Sequence, residues 1–195
     1  MHEELRLCFL GLYALGPVVA IWALLRRRRA GPTARSQVKG WRWYVPPILL
    51  PVEWLVPTVL LLLGLGEFEA GWYPVRLLGL ALGLGGAGVL VWASASLGQF
   101  LIHEAAILQN HALITSGPYR LVRHPIYSGY LALLMGSGLA TLNVWLLLLW
   151  PFSLGGILIQ AGSEERLLES KFGRVYTDYA ARTGRLVPRS WGAAG

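Results

Sequence analysis

The sequence has one cysteine and few charged residues, and each scarcity excludes a class of protein. Cys8 alone cannot form an intramolecular disulfide or build a cysteine-rich metal site. Only 14% of the 195 residues are charged, whereas soluble domains carry about 25%. Because 55% of the residues are hydrophobic, the composition predicts an integral membrane protein.

Acidic residues are also scarce relative to basic ones, so the net charge is +7. In a membrane protein such an excess is typical of cytoplasmic loops, and it does not indicate nucleic-acid binding. His103, His111 and His124 are eight and thirteen residues apart, a spacing that matches no helical pair of metal ligands. Neither a metal site nor a nucleic-acid partner is expected.

Long apolar runs predict an all-α integral membrane protein with about five transmembrane helices, since a helix needs about 20 residues to cross a bilayer. The runs cover residues 5–25, 43–65, 75–97, 126–140 and 144–161. The last two flank a short turn at 141–143 and form a predicted helical hairpin. The chain 1–195 is expected to be one membrane domain, with three spans in 1–97 and the functional part in 98–195.

The distribution of positive charge predicts the orientation. Arg26 to Arg42 contains seven Lys or Arg residues and no acid, so it is expected on the cytoplasmic side, with the N-terminus outside. The loop 98–125 and the polar segment 162–195 then also face the cytoplasm. This C-terminal segment has apolar residues at helical spacing and predicts an amphipathic cytosolic helix with a basic end, Arg182 to Arg189.

The stretch Ser116 to Gly129, SGPYRLVRHPIYSG, concentrates polar and cationic groups between apolar runs. It lies where the predicted hairpin starts, and the acidic pair Glu164 and Glu165 lies where the hairpin ends. Because a hairpin brings its two ends together, Arg123, His124 and the two carboxylates are expected to meet. The structural alternative is that the acids begin a helix, where the helix dipole favours them, and that the arginines only set the topology.

Three stretches of residues carry a family resemblance. They are the run from His111 to Tyr119, HALITSGPY; the run from Arg123 to Gly129, RHPIYSG; and Glu164-Glu165 followed by Phe172-Gly173, Tyr176 and Tyr179. In this combination the chain resembles the isoprenylcysteine carboxyl methyltransferase family and the wider set of membrane methyltransferases that includes phospholipid N-methyltransferases. The resemblance covers roughly residues 100–190.

The resemblance implies an enzyme that uses S-adenosylmethionine without a Rossmann domain, in a cytosol-facing pocket capped by the C-terminal part of the chain. Carried over by motif, the residues implied to bind the cofactor are His111, Ala112, Leu113, Ile114, Tyr119, His124, Pro125, Ile126, Tyr127 and Glu164. A carboxylate suits the sulfonium, the ammonium and the ribose hydroxyls of this cofactor. The expected partners are the lipid bilayer and a lipophilic small-molecule or prenylated acceptor.

The leading acceptor is an isoprenylcysteine-like α-carboxylate, which would become a methyl ester. A carboxylate needs no general base, and Arg123 is a candidate to hold it as a bidentate fork, although a structural role is the alternative. An amine or thiol acceptor needs deprotonation, with His124 or Glu165 as the candidate base. Arg123, His124 and Glu165 are therefore the predicted catalytic residues.

One departure from the family pattern concerns the substrate site. Prenylcysteine methyltransferases of eukaryotes carry a substrate-binding arginine shortly before the acidic pair, and the corresponding residue here is Gln160. Because its amide is neutral, either another residue recognises the carboxylate or the substrate is not a prenylcysteine. Gln160 and Arg123 are the predicted substrate-binding residues.

Two alternative functions stay open at this point. The first is N- or S-methylation of a phospholipid or of a small amine or thiol. The second is a non-enzymatic, transporter-like membrane protein. Only intramembrane Glu53 and the glycine-rich third span support that second alternative.

Overall fold

The structure is a computed structural model that describes residues 3–14, 45–68, 72–97 and 113–189. In this part of the chain the secondary structure is helical, and two isolated backbone bridges are the only β-type pairings. The helices are α1 at 3–14, α2 at Val45–Leu63, α3 at Tyr73–Leu97, a 3-10 helix at Gly117–Arg120, α4 at Pro125–Thr141, α5 at Val144–Phe172 and α6 at Arg174–Arg182. The predicted all-α class is confirmed for the described residues.

Two of the described helices are long and apolar enough to cross a membrane. They are α3, with 25 residues, and α5, with 29. The 17 residues of α4 extend over about 26 Å, somewhat less than the roughly 30 Å of a bilayer core. Most of the predicted first span and all of the basic segment after it fall in 15–44, outside the described residues.

The apolar core lies around α4, which packs against both α3 and α5. The Tyr13 hydroxyl of α1 reaches this core and lies 3.2 Å from Ser137 Oγ. The largest fully buried side chains of the core come from α1, α2, α4 and α5, and they include Phe9, Tyr13, Leu61, Leu133, Leu134 and Leu146. The central position of α4 fixes where the residues just before it, including His124, are held.

Glycines allow α3 and α4 to approach until their backbones touch. A Cβ atom added to Gly86 of α3 would lie 2.6 Å from both the Gly129 carbonyl oxygen and the Leu133 amide nitrogen of α4. Real Cβ atoms essentially never come so close to other heavy atoms, so a side chain at this position requires the helices to move apart. Gly86 therefore belongs to a close helix–helix contact of the kind that small residues allow.

The turn between α4 and α5 is formed by Leu142 and Asn143. Leu142 ends α4 with a left-handed φ of 52°, and its amide bonds back to the last turn of that helix. Asn143 is the N-cap of α5, where its side-chain oxygen accepts from the amides of Trp145 and Leu146 at 3.1 and 3.2 Å. The predicted hairpin and its turn are thus present in the structure.

The predicted end of the second hairpin helix is wrong. The apolar run stops at Ala161, and a separate amphipathic helix was expected from Gly162 onward. Instead α5 continues to Phe172, and the helix breaks only at Gly173, which has a φ of 53°. The end of the apolar run marks a change in surroundings, whereas the backbone hydrogen bonding continues beyond it.

This continuity also decides the structural alternative for the acidic pair. Glu164 and Glu165 lie deep inside α5, nearly six turns after its start at Val144. The dipole effect of a helix N-terminus falls off within the first turn. The acids therefore do not begin a helix, and their position is explained by the groups that they contact.

Arg76 is a buried cation near the start of α3. Its guanidinium donates to the Ala140 carbonyl oxygen near the end of α4 and to the Phe68 carbonyl oxygen, both at 2.9 Å. The last carbonyls of a helix have no partner within the helix, and a buried guanidinium needs acceptors. Arg76 thereby ties α3 to the end of α4 that lies away from His124.

Candidate functional site

The two ends of the hairpin meet, and they bring together the residues that the motifs singled out. Arg123 Nε lies 2.9 Å from Glu165 Oε1, and His124 Nε2 lies 3.3 Å from the same oxygen. His124 Nδ1 lies 3.4 Å from Glu164 Oε2. We call Arg123, His124, Glu164 and Glu165 the hairpin cluster.

The local backbone explains how His124 comes to face both acids. Pro125 begins α4, a position where proline is favoured because its fixed φ suits the helix and no amide is needed. His124 therefore occupies the N-cap position, but its side chain does not cap the helix. The imidazole instead lies against α5, only 7% exposed, and stacks on the Tyr127 ring with 5.4 Å between ring centroids.

The contacts of His124 favour its protonated form. A neutral imidazole carries a single N–H, yet each ring nitrogen here lies beside a carboxylate. Burial lowers the pKa of His124, but the hydrogen bonds and charges of Glu164 and Glu165 outweigh burial and raise this pKa above its ordinary value of 6.5. A histidine that retains its proton in this way is poorly suited to act as a general base.

This raised pKa predicts a stability that depends on pH. The folded protein binds the His124 proton more tightly than the unfolded chain does, so the stabilisation is complete below about pH 6.5 and is lost as the pH rises through the folded-state pKa. The unfolding temperature of the detergent-purified protein is expected to fall over that interval. His124→Gln should flatten this part of the profile, and an identical profile in the variant would contradict the prediction.

Glu165 is held by two arginines. Besides Arg123, it accepts from Arg185, whose Nε lies 3.1 Å from Oε1 and whose Nη2 contacts Oε2. The Glu165 side chain is only 13% exposed, while that of Arg185 is 42% exposed. Charge-assisted bonds of this kind are the strong ones, so Glu165 is the centre of the ion-pair network.

Arg185 was not among the residues predicted from the sequence. It reaches Glu165 because residues 184–186 pair with the backbone just before α4: the Arg123 amide donates to the Gly184 carbonyl oxygen at 2.8 Å, and the His124 amide donates to the Arg185 carbonyl oxygen at 3.1 Å. No periodic pattern marks such a contact between distant segments. The only available signal was an arginine-rich end that follows an acidic pair.

The guanidinium of Arg123 is engaged on both of its edges. Nε donates to Glu165, while Nη1 donates to the carbonyl oxygens of Ala180 at 2.9 Å and Thr183 at 2.5 Å. These carbonyls lie at the end of α6, so Arg123 caps that helix. Its predicted role as a fork for the acceptor carboxylate stays a prediction, and it requires the release of some of these bonds.

Glu164 is the more accessible acid of the cluster, with a side chain 27% exposed against 13% for Glu165. It accepts from the Tyr127 hydroxyl at 2.5 Å and from Gln160 Nε2 at 2.9 Å. Gln160 is buried one turn earlier on α5. In this structure Gln160 therefore orients Glu164, and its predicted contact with substrate stays a prediction.

The remaining residues of the implied cofactor site differ in their burial, and some of them lie outside the described residues. Tyr119 is buried beneath α6, where its carbonyl oxygen accepts from the Tyr179 hydroxyl at 2.7 Å. Four residues are buried or half-buried: Leu113, Ile114, Pro125 and Ile126. Two of the implied residues lie outside the described residues: His111 and Ala112.

Among the described residues, no group of three or more His, Cys, Asp or Glu side chains is arranged to hold a metal ion. The acids of the hairpin cluster are instead bonded to arginine, histidine, tyrosine and glutamine.

The fold and the cluster define a class: helical proteins, with helices able to cross a membrane, that hold a charged site where a hairpin closes. The chain matches the phospholipid methyltransferase family over residues 75–175. This match covers more than half of the 195 residues and includes α3, the hairpin and the cluster. The chain belongs to the phospholipid methyltransferase family, which confirms the resemblance seen in its motifs.

The alignments with curated relatives cover only part of this chain and part of each relative. The probable protein-S-isoprenylcysteine O-methyltransferase of Oryza sativa subsp. indica is 33% identical over 129 residues, which are 63% of this chain and 65% of the relative. The protein-S-isoprenylcysteine O-methyltransferase of Schizosaccharomyces pombe is 34% identical over 104 residues, 49% of this chain and 42% of the relative. The cobalt-zinc-cadmium resistance protein CzcN of Cupriavidus metallidurans is 39% identical over 83 residues, which are 42% of this chain and 38% of the relative. The chain thus spans less than two thirds of the length of these relatives.

Proposed function

We propose that this protein is an S-adenosylmethionine-dependent methyltransferase that acts on a lipophilic acceptor, with an isoprenylcysteine-like α-carboxylate as the leading acceptor and a methyl ester as the product. The observation that carries the proposal is the hairpin cluster, because two of the stretches behind the family resemblance, RHPIYSG and the acidic pair, meet there in one partly buried site. Membership of the family and the names of the relatives support the same reaction class.

The residues of the site fit the cofactor in their chemistry. Glu164 combines a negative charge with a partly exposed side chain, which suits the ammonium or sulfonium of the cofactor. The rings of Tyr119 and Tyr127 can supply cation–π or stacking contacts. When bound, S-adenosylmethionine supplies a methyl group activated by its sulfonium. Gln160 and Tyr127 hold the Glu164 carboxylate in a defined orientation for that contact.

The protonation of the site favours a carboxylate over an amine or a thiol as the acceptor. A carboxylate is already a nucleophile at neutral pH, whereas an amine or thiol needs a base. His124 holds its proton between two acids, and Glu165 is engaged by two arginines. The work left to the protein is to hold donor and acceptor in line and to exclude water.

A phospholipid amine is the second candidate acceptor, because the matching family is that of the phospholipid methyltransferases. The transporter-like alternative has lost one of its two supports. Gly79 and Gly86 of α3 pack against the backbone of α4, which explains these two glycines by helix packing. The other support, Glu53, has its side chain outside the described part of the chain.

We also propose five membrane spans, with the N-terminus outside and the hairpin cluster on the cytoplasmic side. The length and apolar character of α3 and α5 support spanning, and both helices expose large apolar side chains that suit contact with lipid: Leu77, Leu78, Trp92, Leu148 and Phe152. Arginines are frequent in residues 166–189, which lie on the cluster side of the hairpin, as the positive-inside rule requires of a cytoplasmic face.

The test of this function is calorimetric binding of S-adenosylhomocysteine to the detergent-purified protein. The native chain is expected to bind saturably, and Glu164→Ala should bind about 10- to 100-fold more weakly, since it loses a charged contact. Glu169→Ala removes an exposed acid from the same helix and should leave the affinity unchanged. A folded native sample that binds no S-adenosylhomocysteine would refute the proposal. If the native protein does bind it, a labelled-methyl screen of lipophilic carboxylates and amines would identify the acceptor.

A further inference from the structure

Tyr176 presents a buried polar atom that the ion-pair network does not use. Its side chain lies on α6 and is 4% exposed, and its hydroxyl oxygen has no hydrogen-bond partner within the described ranges. Buried polar groups almost always have a partner, because an unmade hydrogen bond costs the full desolvation of the group. Such an exception calls for a functional explanation.

The charged groups around Tyr176 belong to the candidate site. Burial raises the pKa of Tyr176, and the negative charge of Glu165 raises it further, while Arg123 and Arg185 act in the opposite direction. The phenol therefore keeps its proton at neutral pH and acts as a hydrogen-bond donor. It lies in the site as a neutral donor among charges.

The neighbouring Tyr179, on the same helix, has a hydroxyl that does form a hydrogen bond. The two rings contact each other edge to face with 6.1 Å between centroids. The Tyr179 hydroxyl donates to the Tyr119 carbonyl oxygen and so contributes to holding α6 over the 3-10 helix. The Tyr176 hydroxyl, one turn earlier, has no corresponding acceptor in the described protein.

The other polar side chains of the site each already make at least one bond within the protein. Arg123 bonds to Glu165 and to the end of α6, Arg185 bonds to Glu165, and His124 lies between the two acids. Gln160 donates to Glu164. An anionic ligand group that enters this site thus finds the buried Tyr176 hydroxyl as a donor that needs no bond to be broken first.

We propose that the Tyr176 hydroxyl donates a hydrogen bond to a carboxylate of a bound ligand. This inference rests on the proposed function, which brings two carboxylates to the site: that of the amino-acid part of the cofactor and that of the acceptor. In either case Tyr176 is a binding residue. If the carboxylate belongs to the acceptor, Tyr176 supplies by a hydrogen bond part of the recognition for which Gln160 offers no charge.

The test is Tyr176→Phe, which removes the hydroxyl and keeps the ring. Because the hydroxyl has no protein partner, the unfolding temperature without ligand is expected to stay the same or to rise. The affinity for the ligand that carries the carboxylate is expected to fall about 10- to 100-fold, as for the loss of one hydrogen bond to a charged group. A merely structural residue would instead lose stability and keep its ligand constants.

Two measurements identify the carboxylate. Weaker calorimetric binding of S-adenosylhomocysteine assigns the contact to the cofactor, whereas an unchanged affinity with a raised KM for the acceptor assigns it to the acceptor. Unchanged values in both measurements overturn the proposal. Tyr73→Phe, an exposed tyrosine at the start of α3, is the matched control and should change neither value. A native protein that binds no S-adenosylhomocysteine and transfers no methyl group refutes the proposed function itself, and the role of Tyr176 with it.

Discussion

Glu165→Gln is expected to lower the free energy of unfolding by about 3–5 kcal/mol, the range found when one partner of a buried ion pair is removed. The substitution keeps the shape of the side chain but removes the charge that faces Arg123, His124 and Arg185. Three cationic groups would then remain close together without their common counter-charge. The exposed Arg185 contributes least to this loss, since solvent screens its charge.

The same substitution should also abolish ligand binding, because the network joins the C-terminal segment to the hairpin. Arg185 would lose its carboxylate, and one of the three acceptors of Arg123, which caps α6, would lose its charge. The α6 helix carries Tyr176 and Tyr179, so its displacement would disturb the site. Unfolding in detergent and S-adenosylhomocysteine binding are the two measurements.

Glu169→Gln is the matched control, since Glu169 is exposed on the same helix one turn later. It makes the same change of charge without touching the network, and it should shift stability by less than about 0.5 kcal/mol. Equal effects of the two substitutions would show that overall charge, and not the network around Glu165, determines stability.

The second large effect is expected at the contact between α3 and α4. Gly86→Ala should destabilise the protein by about 1–3 kcal/mol or more, as overpacking does in well-packed interiors. The added methyl group would lie 2.6 Å from backbone atoms of Gly129 and Leu133, which cannot rotate away as the end of a side chain can. The helices must separate, and α4 carries the start of the hairpin cluster with it. Thermal or denaturant unfolding of the purified protein measures the effect.

Gly85→Ala provides an internal comparison one residue away. A Cβ at Gly85 meets no other atom within 4 Å, and alanine is favoured over glycine inside a helix by up to about 1 kcal/mol. Gly85→Ala is therefore expected to be neutral or stabilising. If both variants lost the same stability, helix propensity or lipid contact would explain the result in place of close packing.

The meeting of Arg123 and His124 with Glu164 and Glu165 could be predicted from the sequence because it depends on few assumptions. Two apolar runs joined by a short turn must form a hairpin, and the ends of a hairpin are adjacent. The starts of α4 and α5 were also predictable, since Pro125 and Asn143 are strong local signals for the first residues of a helix.

Other features depended on contacts that leave no local pattern. The continuation of α5 beyond Ala161 was missed because the change from apolar to polar residues resembles a helix boundary, although no proline lies between Ala161 and Gly173. The contact of Arg185 with Glu165 depends on backbone pairing between distant segments. The buried and unpaired Tyr176 hydroxyl is visible only once the groups around it are placed.

The two acceptors of Arg76 set an order of events during synthesis. Phe68 precedes Arg76 in the chain, but Ala140 follows it by 64 residues. At 5–20 residues per second, the ribosome needs roughly 3 to 13 s to make that second acceptor. The bond from Arg76 to Ala140 therefore cannot form while α3 is being made, and it becomes possible only after the last residues of α4 have been translated.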